Sequence, residues 1–193
     1  MNATGPALAW DPTADIVRSL VLYSLAEVQA GHATTIRVTL EPASFSVSDD
    51  GRGHAVDREV DGLPYLELVY TQLEFPFGRH PGPAVQLQGL GLSLVNRLCR
   101  ALTVTVRKRG AVHRWVFAEG SRVHRERLEV EGATDQGNTL CGSVRAELSC
   151  GPPPVDELHR WLQGLVASTP GLTLEFNGVR VRADDEAGPA APG

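Results

Sequence analysis

At 193 residues, 42% of them hydrophobic and 21% charged, the chain has the size and balance of one soluble globular domain with a sizeable core. A net charge of −5 weighs against a dedicated nucleic-acid binder, so no direct nucleic-acid contact is expected. No apolar run approaches the roughly 20 residues that span a bilayer, and the N-terminus lacks the basic-then-apolar pattern of a signal peptide, so a cytoplasmic location away from membrane is expected.

Residues 1–11, with Gly5 and Pro6, read as a flexible arm. Residues 12–182 read as a single domain, and 183–193, acidic and rich in Pro, Ala and Gly, as a disordered tail. From Thr13 to Ala30, Ile16, Val17, Leu20, Val21 and Val28 recur at helical spacing, with Asp11 or Thr13 placed to cap the start and Gly31 to end it. Two β-rich runs, Thr34–Leu40 and Ser44–Ser48, joined at Glu41-Pro42-Ala43, predict a hairpin whose far end carries Asp49-Asp50-Gly51-Arg52-Gly53. Leu63, Leu66, Val69, Tyr70 and Leu73 predict a second helix over Asp61–Leu73. Glu74–Gln88 holds three prolines and two glycines and reads as irregular.

A third helix is predicted over Gly89–Arg100, followed by strands over 102–107, 112–118, 122–130 and 139–148, with turns at Arg109-Gly110 and Glu119-Gly120. A last helix over Pro154–Ser168 precedes strands 172–176 and 179–181, joined at Asn177-Gly178. Strand runs interspersed with long helices predict an α+β two-layer sandwich, a mixed and mainly antiparallel sheet with helices on one face. The basic runs Arg107-Lys108-Arg109 and Arg122 to Arg127 read as solvated strand and turn positions. Cys99, Cys141 and Cys150 lack the close spacing of a zinc site and read as reduced thiols.

Four separated segments occur in a telling order: Ala30-Gly31-His32-Ala33-Thr34, the Asp49–Gly53 loop, Leu87-Gln88-Gly89-Leu90-Gly91-Leu92-Ser93-Leu94-Val95-Asn96, and Pro170-Gly171-Leu172-Thr173-Leu174. Together they resemble the ATP-binding domain of the DNA gyrase B subunit, of the GHKL or Bergerat-fold family, over about Asp11 to Arg182. The resemblance implies the same two-layer fold, with Glu74–Gln88 as the flap over a nucleotide. The family's transducer domain and its metal-binding, DNA-cleaving parts have no expected counterpart.

The resemblance sets Asp49 against the family's adenine-binding Asp, and Gly51 and Gly53 against its close-approach glycines. Ser19, Tyr23 and Glu27, four residues apart on one helical face, fall against three polar family positions. Where the family has its general-base Glu this chain has Ser19, and where it has a magnesium-holding Asn this chain has Tyr23. Ser19 takes no proton at neutral pH and a phenol is a poor hard-cation ligand, so no ATP hydrolysis, no metal and no cofactor are expected. Asp15, one turn earlier, reads as a plain helix charge. Glu27 and Arg52 are expected to pair. Val85 and Gln86 replace family glycines and Gln88 a His, while Gly89 and Gly91 remain at a helix start, where amides can receive an anion. Thr139 or Ser143 stands for the threonine that helps the Asp hold adenine.

Two functional readings follow. The first is a small-ligand-binding or regulatory protein with Ser19, Tyr23, Glu27, Asp49, Gly51, Arg52, Gly53, Gln88, Gly89 and Gly91 at its pocket. Its expected partners are a small molecule and either another protein or a second copy of the chain. The second is a repurposed enzyme, carrying out acid–base isomerisation or cyclisation of a small organic, secondary-metabolite-like substrate with Tyr23, Asp49, His54 and Glu27.

Overall fold

The computed structural model describes residues 11–72, 90–131, 134–149 and 151–183. The Asp11 carboxylate accepts the Thr13 N–H at 2.9 Å, and helix α1 (Thr13–Gln29) starts there. It leads into the hairpin β1 (Thr35–Leu40) and β2 (Phe45–Asp49), then a small ribbon, β3 (Glu59–Val60) and β4 (Leu63–Pro64), and helix α2 (Tyr65–Thr71). Helix α3 (Leu92–Leu98) runs into β5 (Cys99–Lys108), β6 (Ala111–Ala118), β7 (Ser121–Glu129) and β8 (Gly137–Val144). Helix α4 (Val155–Ser168) and strands β9 (Thr173–Phe176) and β10 (Val179–Arg180) complete the order.

Eight strands form one sheet in the order β10-β9-β1-β2-β8-β5-β6-β7, with β1–β9 its parallel pair and the other neighbours antiparallel. The sheet's cross-strand register lines up one row of side chains: Phe176, Val38, Val47, Leu140, Val104 and Trp115. All six are buried, and α1, α3 and α4 pack on the sheet they floor. The row ends at Arg125 on β7, whose guanidinium lies 4.4 Å above the Trp115 ring. One step along the same face the register gives Ile36 beside Asp49, and Asn138 beside Val106 and then His113. Three buried polar side chains, the adjacent Asp49 and Asn138 with His113 beyond Val106, thus interrupt an otherwise apolar face at one end of the sheet. That interruption is the candidate site.

The α+β sandwich with a mixed, mainly antiparallel sheet is as expected, and three two-residue turns sit where the sequence predicts them, with a fourth at Asp61-Gly62 that it does not. Arg109-Gly110, Glu119-Gly120, Asn177-Gly178 and also Asp61-Gly62 have positive φ at both residues, the conformation that matches the twist of a hairpin. Two helices end differently. The predicted helix over 61–73 begins only at Tyr65, because Asp61-Gly62 turns the β3–β4 ribbon and Pro64 holds an extended φ/ψ before α2. The predicted helix over 89–100 stops at Leu98, because Cys99 already pairs with Val144 as the start of β5. Strand β8 runs from Gly137 to Val144 rather than 139–148.

The basic runs are largely neutralised in place. Arg107 pairs with Asp135 at 3.1 Å, Arg122 with Glu67 at 2.8 Å and Arg127 with Glu129 at 2.6 Å. Cys99 is buried and Cys141 exposed, both as free thiols, and Cys150 lies outside the described residues. Among the described residues no helix is long and apolar enough to cross a membrane. The predicted arm, tail and flap over 74–88 lie outside the described residues, apart from Asp11 and Ala183 at the edges of the arm and tail.

Candidate functional site

Asp49 ends β2 facing the helical layer and is 2% exposed. Burying a carboxylate is costly unless its oxygens are satisfied, and here both are. Oδ2 accepts the Ser24 hydroxyl at 2.9 Å from α1, and Oδ1 accepts the Gly51 N–H at 3.0 Å. From β8, the Asn138 side-chain amide lies 3.3–3.4 Å from the two oxygens and its backbone N–H 3.4 Å from Oδ1. Burial pushes the Asp49 carboxyl above its usual range, and the donors from Ser24, Gly51 and Asn138 oppose it. Glycine is needed twice around this carboxylate. A Cβ on Gly51 would come within 2.9 Å of Asp49 Oδ1, and one on Gly137 would overlap the Asp49 carbonyl oxygen.

The next residue, Asp50, anchors the loop. Its carboxylate accepts the Thr34 and Thr35 N–H groups at 2.8 and 2.9 Å and the Thr34 hydroxyl at 2.8 Å. Burial would raise its pKa, but these hydrogen bonds outweigh it and hold it low. Arg52 then reaches back to α1, where Glu27 accepts its Nε at 3.0 Å, its Nη2 at 2.8 Å and its backbone N–H at 3.2 Å. Hydrogen bonding to Arg52 lowers the Glu27 pKa. The pairing expected from the sequence is therefore present.

His54 is not the exposed loop side chain its position suggests. It is 5% exposed and stands between two tyrosines, with Nδ1 2.8 Å from the Tyr23 hydroxyl and Nε2 3.0 Å from the Tyr70 hydroxyl. Tyr70 is fully buried on α2, stacked on Phe117 with ring centroids 5.2 Å apart. Burial drives His54 down to about 4, with Lys108, whose ammonium donates to the His54 carbonyl at 3.2 Å, adding to the effect against Glu27. Burial drives both tyrosines up, with Tyr65, Glu27 and Asp49 reinforcing the shift at Tyr23. All three groups are therefore neutral at pH 7.

Ser19, one turn before Tyr23, is buried and fully used: its hydroxyl donates to the Asp15 carbonyl at 2.6 Å and accepts the Leu90 N–H at 2.8 Å. Gly91 precedes α3 with open space where a side chain would stand. Gln88 and Gly89, like Val85 and Gln86, lie outside the described residues. The structure thus brings Tyr23, Glu27, Asp49, Gly51, Arg52 and His54 together, with Ser19 one turn along.

Four contributors escape a reading of the sequence: Ser24, Tyr70, Lys108 and Asn138. Thr139 faces away from Asp49, where it accepts Arg107 Nη1 at 3.0 Å. Ser143 instead lines a separate cavity of about 380 Å³ at the Glu41–Phe45 turn, with Arg100 and Ser149. At about 3.3 Å per residue, the length of β2 keeps that cavity roughly 13 Å from Asp49. The side chain that reaches Asp49 from β8 is Asn138. The signal for it is Gly137 at the head of β8, two residues before Thr139. Among the described residues no cluster of His, Cys, Asp and Glu could hold a metal.

No family model matches the chain. Over 131 residues, 65% of its length, it is 40% identical to the B subunit of DNA gyrase from Micrococcus luteus, of which it covers 18%. Over 172 residues, 83% of its length, it is 33% identical to the gyrase B subunit of Thermotoga maritima, covering 26% of that protein. The B subunit of DNA topoisomerase 4 from Salmonella typhimurium is 37% identical over 122 residues, 60% of this chain and 19% of that one. The chain thus spans 18–26% of the length of these relatives. Among solved structures, the topoisomerase IV ATP-binding domain of Francisella tularensis, in complex with a small-molecule inhibitor, superposes with a TM-score of 0.73 at 25% identity, over 88% of this chain and 83% of that one.

Proposed function

The chain is a relative of the ATP-binding domains of the gyrase and topoisomerase IV B subunits, of the GHKL or Bergerat-fold type, and on that footing we propose that it is a small-ligand-binding or regulatory protein that has lost ATP hydrolysis. The observation that carries this reading is the state of α1. In the family its polar face supplies a base and a metal ligand; here Ser19 is spent on Asp15 and Leu90, and the Tyr23 hydroxyl is spent on buried His54. A positioned general base contributes typically ~10²–10⁴-fold, and no carboxylate replaces it at Ser19. Magnesium does not fit either. It demands near-octahedral hard oxygen ligands, whereas Tyr23 offers one neutral phenol oxygen already in a hydrogen bond.

The adenine side is retained. Asp49 is held at the floor of the same face, and Gly51 leaves its carboxylate uncrowded. A planar ligand with an N–H donor at one end and little negative charge at the other suits a wall of Asp49 and neutral Tyr23. The cytoplasm is the proposed location, and a protein partner or second copy the proposed recipient of any regulatory signal.

The enzymatic alternative is less well supported by the same geometry. A general acid or base works best with a pKa near the operating pH, and the site moves His54 to about 4 and both tyrosines upward. Such shifts hold protons still. Titration calorimetry with adenosine and with ATP plus magnesium, alongside phosphate-release assays, tests the proposal. Adenosine should bind at least as tightly as ATP, weaken on Asp49→Asn, and no phosphate should appear. Tighter binding of magnesium-ATP with Asp49-dependent phosphate release would overturn it.

A further inference from the structure

At the end of the sheet away from Asp49, β5 and β8 slip out of register. Cys99 pairs with Val144 and Ala101 with Ser143, so Arg100 is an extra residue between them. A bulge of this kind re-aims the side chain it carries, and bulges gather beside functional sites. Arg100 lines the cavity of about 380 Å³ at the Glu41–Phe45 turn, a volume within the range of small-ligand sites. Among the described residues no carboxylate pairs with its guanidinium. Ser143, half-buried next to it on β8, adds a hydroxyl to the same wall. The opposite wall is acidic. Glu41 accepts the Ser44 hydroxyl at 3.0 Å through one carboxylate oxygen, and among the described residues no donor reaches the other. Asp11, the second carboxylate on the lining, is engaged in starting α1. Between the two walls Phe45, buried, and Val144, half-buried, supply an apolar floor.

We propose that this cavity is a second small-ligand site, which takes a zwitterionic amino acid with an apolar side chain, its carboxylate on Arg100 and Ser143 and its ammonium on Glu41. Strand β8 lies between β2 and β5, so at about 4.8 Å per strand Arg100 and the Ser44 end of the turn stand roughly 10 Å apart along the sheet. Arg100 and Glu41 therefore face one cavity without forming an ion pair with each other, and each charge is left to solvent unless a molecule carrying both opposite charges enters. A plain anion gains Arg100 but meets Glu41, and a plain amine meets the reverse, so the zwitterion is the class that both walls favour. The planar guanidinium suits a carboxylate, which it can receive on two N–H groups at once. The site shares α1 and β2 with the Asp49 pocket but none of that pocket's side chains, so it fills whatever the other pocket holds.

Amide chemical-shift titration of the nitrogen-labelled protein tests it with three matched probes: L-leucine, 4-methylpentanoate, which lacks its amine, and 3-methylbutylamine, which lacks its carboxylate. Leucine should shift the amides of Ser44, Phe45, Arg100 and Ser143 and bind roughly 3- to 10-fold more tightly than either counterpart. Arg100→Gln should weaken leucine and the acid by a similar factor and leave the amine unchanged. Glu41→Gln should weaken leucine and the amine and leave the acid unchanged. Both side chains are exposed, so neither substitution disturbs the core. Leucine binding that ignores Arg100→Gln, or no shift at these amides with leucine at its solubility limit, would overturn the proposal. Adenosine titrated in the same way reads the amides of the Asp49–Gly53 loop instead, so the two sites succeed or fail separately.

Discussion

Replacing His54 by Gln gives a polar side chain that does not titrate, and it isolates one electrostatic quantity. In the folded protein burial takes His54 from 6.5 to about 4, with Lys108 on the same side and Glu27 against it. Tyr23 and Tyr70 face its two nitrogens and stay neutral throughout. Because the folded pKa lies below the unfolded one, the unfolded chain binds the extra proton between the two values. Stability is therefore complete above about pH 6.5 and is lost as the pH falls toward about 4. Each unit is worth 1.36 kcal/mol, so the full effect is about 3 kcal/mol, of which about 2 kcal/mol falls between pH 7.5 and 5.0. Urea unfolding at those two pH values measures it. Asp49, shifted upward, acts with the opposite sign at the acid end, and His113, shifted downward, with the same sign. Both cancel in the difference between wild type and variant. That difference should shrink by about 2 kcal/mol on going from pH 7.5 to 5.0. Parallel pH profiles for the two proteins, or a His54 titration near 6.5 in the folded state, would refute the reasoning.

Two further substitutions probe the backbone and the surface of the same site. Gly137→Ala places a Cβ onto the Asp49 carbonyl oxygen and within 3.1 Å of Asp50 Cα, at a φ of 130°, so β2 and β8 must part at their polar end. It should cost about 3 kcal/mol or more in urea unfolding, and a loss under about 1 kcal/mol would show that the strands yield easily. Arg52→Ala breaks the bidentate pair with Glu27, but Arg52 is 54% exposed, so the loss should stay within about 1 kcal/mol and shrink in high salt. A loss above about 2 kcal/mol would mean that Arg52 holds the loop rather than merely covering it.

What the sequence reveals and what it hides follow from how local each feature is. The Arg109-Gly110, Glu119-Gly120 and Asn177-Gly178 turns are legible because two adjacent residues determine them. The hairpin ending at Asp49 is legible for the same reason. The helix over 61–73 is over-read because Leu63 fits the apolar spacing of Leu66 and Val69, yet it is 46% exposed on β4. Spacing alone does not register the turn at Asp61-Gly62 or the proline at 64. The extension of α3 past Leu98 fails differently: Cys99 leaves the helix because a strand 45 residues later, at Val144, pairs with it. No local pattern carries that. Asn138 and Thr139 show the sharpest limit, since neighbouring residues in a strand face opposite sides and a one-residue choice moves a side chain out of the site. Tyr70 reaches His54 across a helix–loop contact that periodicity cannot see, so the place of the histidine between two tyrosines is not legible.

Asn138 also explains how the two halves of the site are bound into one unit. Its Oδ1 accepts the His54 N–H at 2.9 Å, while its Nδ2 faces the Asp49 carboxylate at 3.3–3.4 Å. The amide can serve both partners in one orientation only, since the flipped group would set NH2 against N–H and oxygen against carboxylate. The charge on Asp49 therefore fixes the amide, and the amide fixes the loop carrying His54. The polar face of α1 is tied down residue by residue: Ser19 to Leu90, Tyr23 to His54, Ser24 to Asp49 and Glu27 to Arg52. A pocket whose polar side chains are already held in place loses little conformational freedom when a ligand arrives. On the proposed reading, Ser19 and Tyr23 hold the walls of the site in position rather than act on a nucleotide.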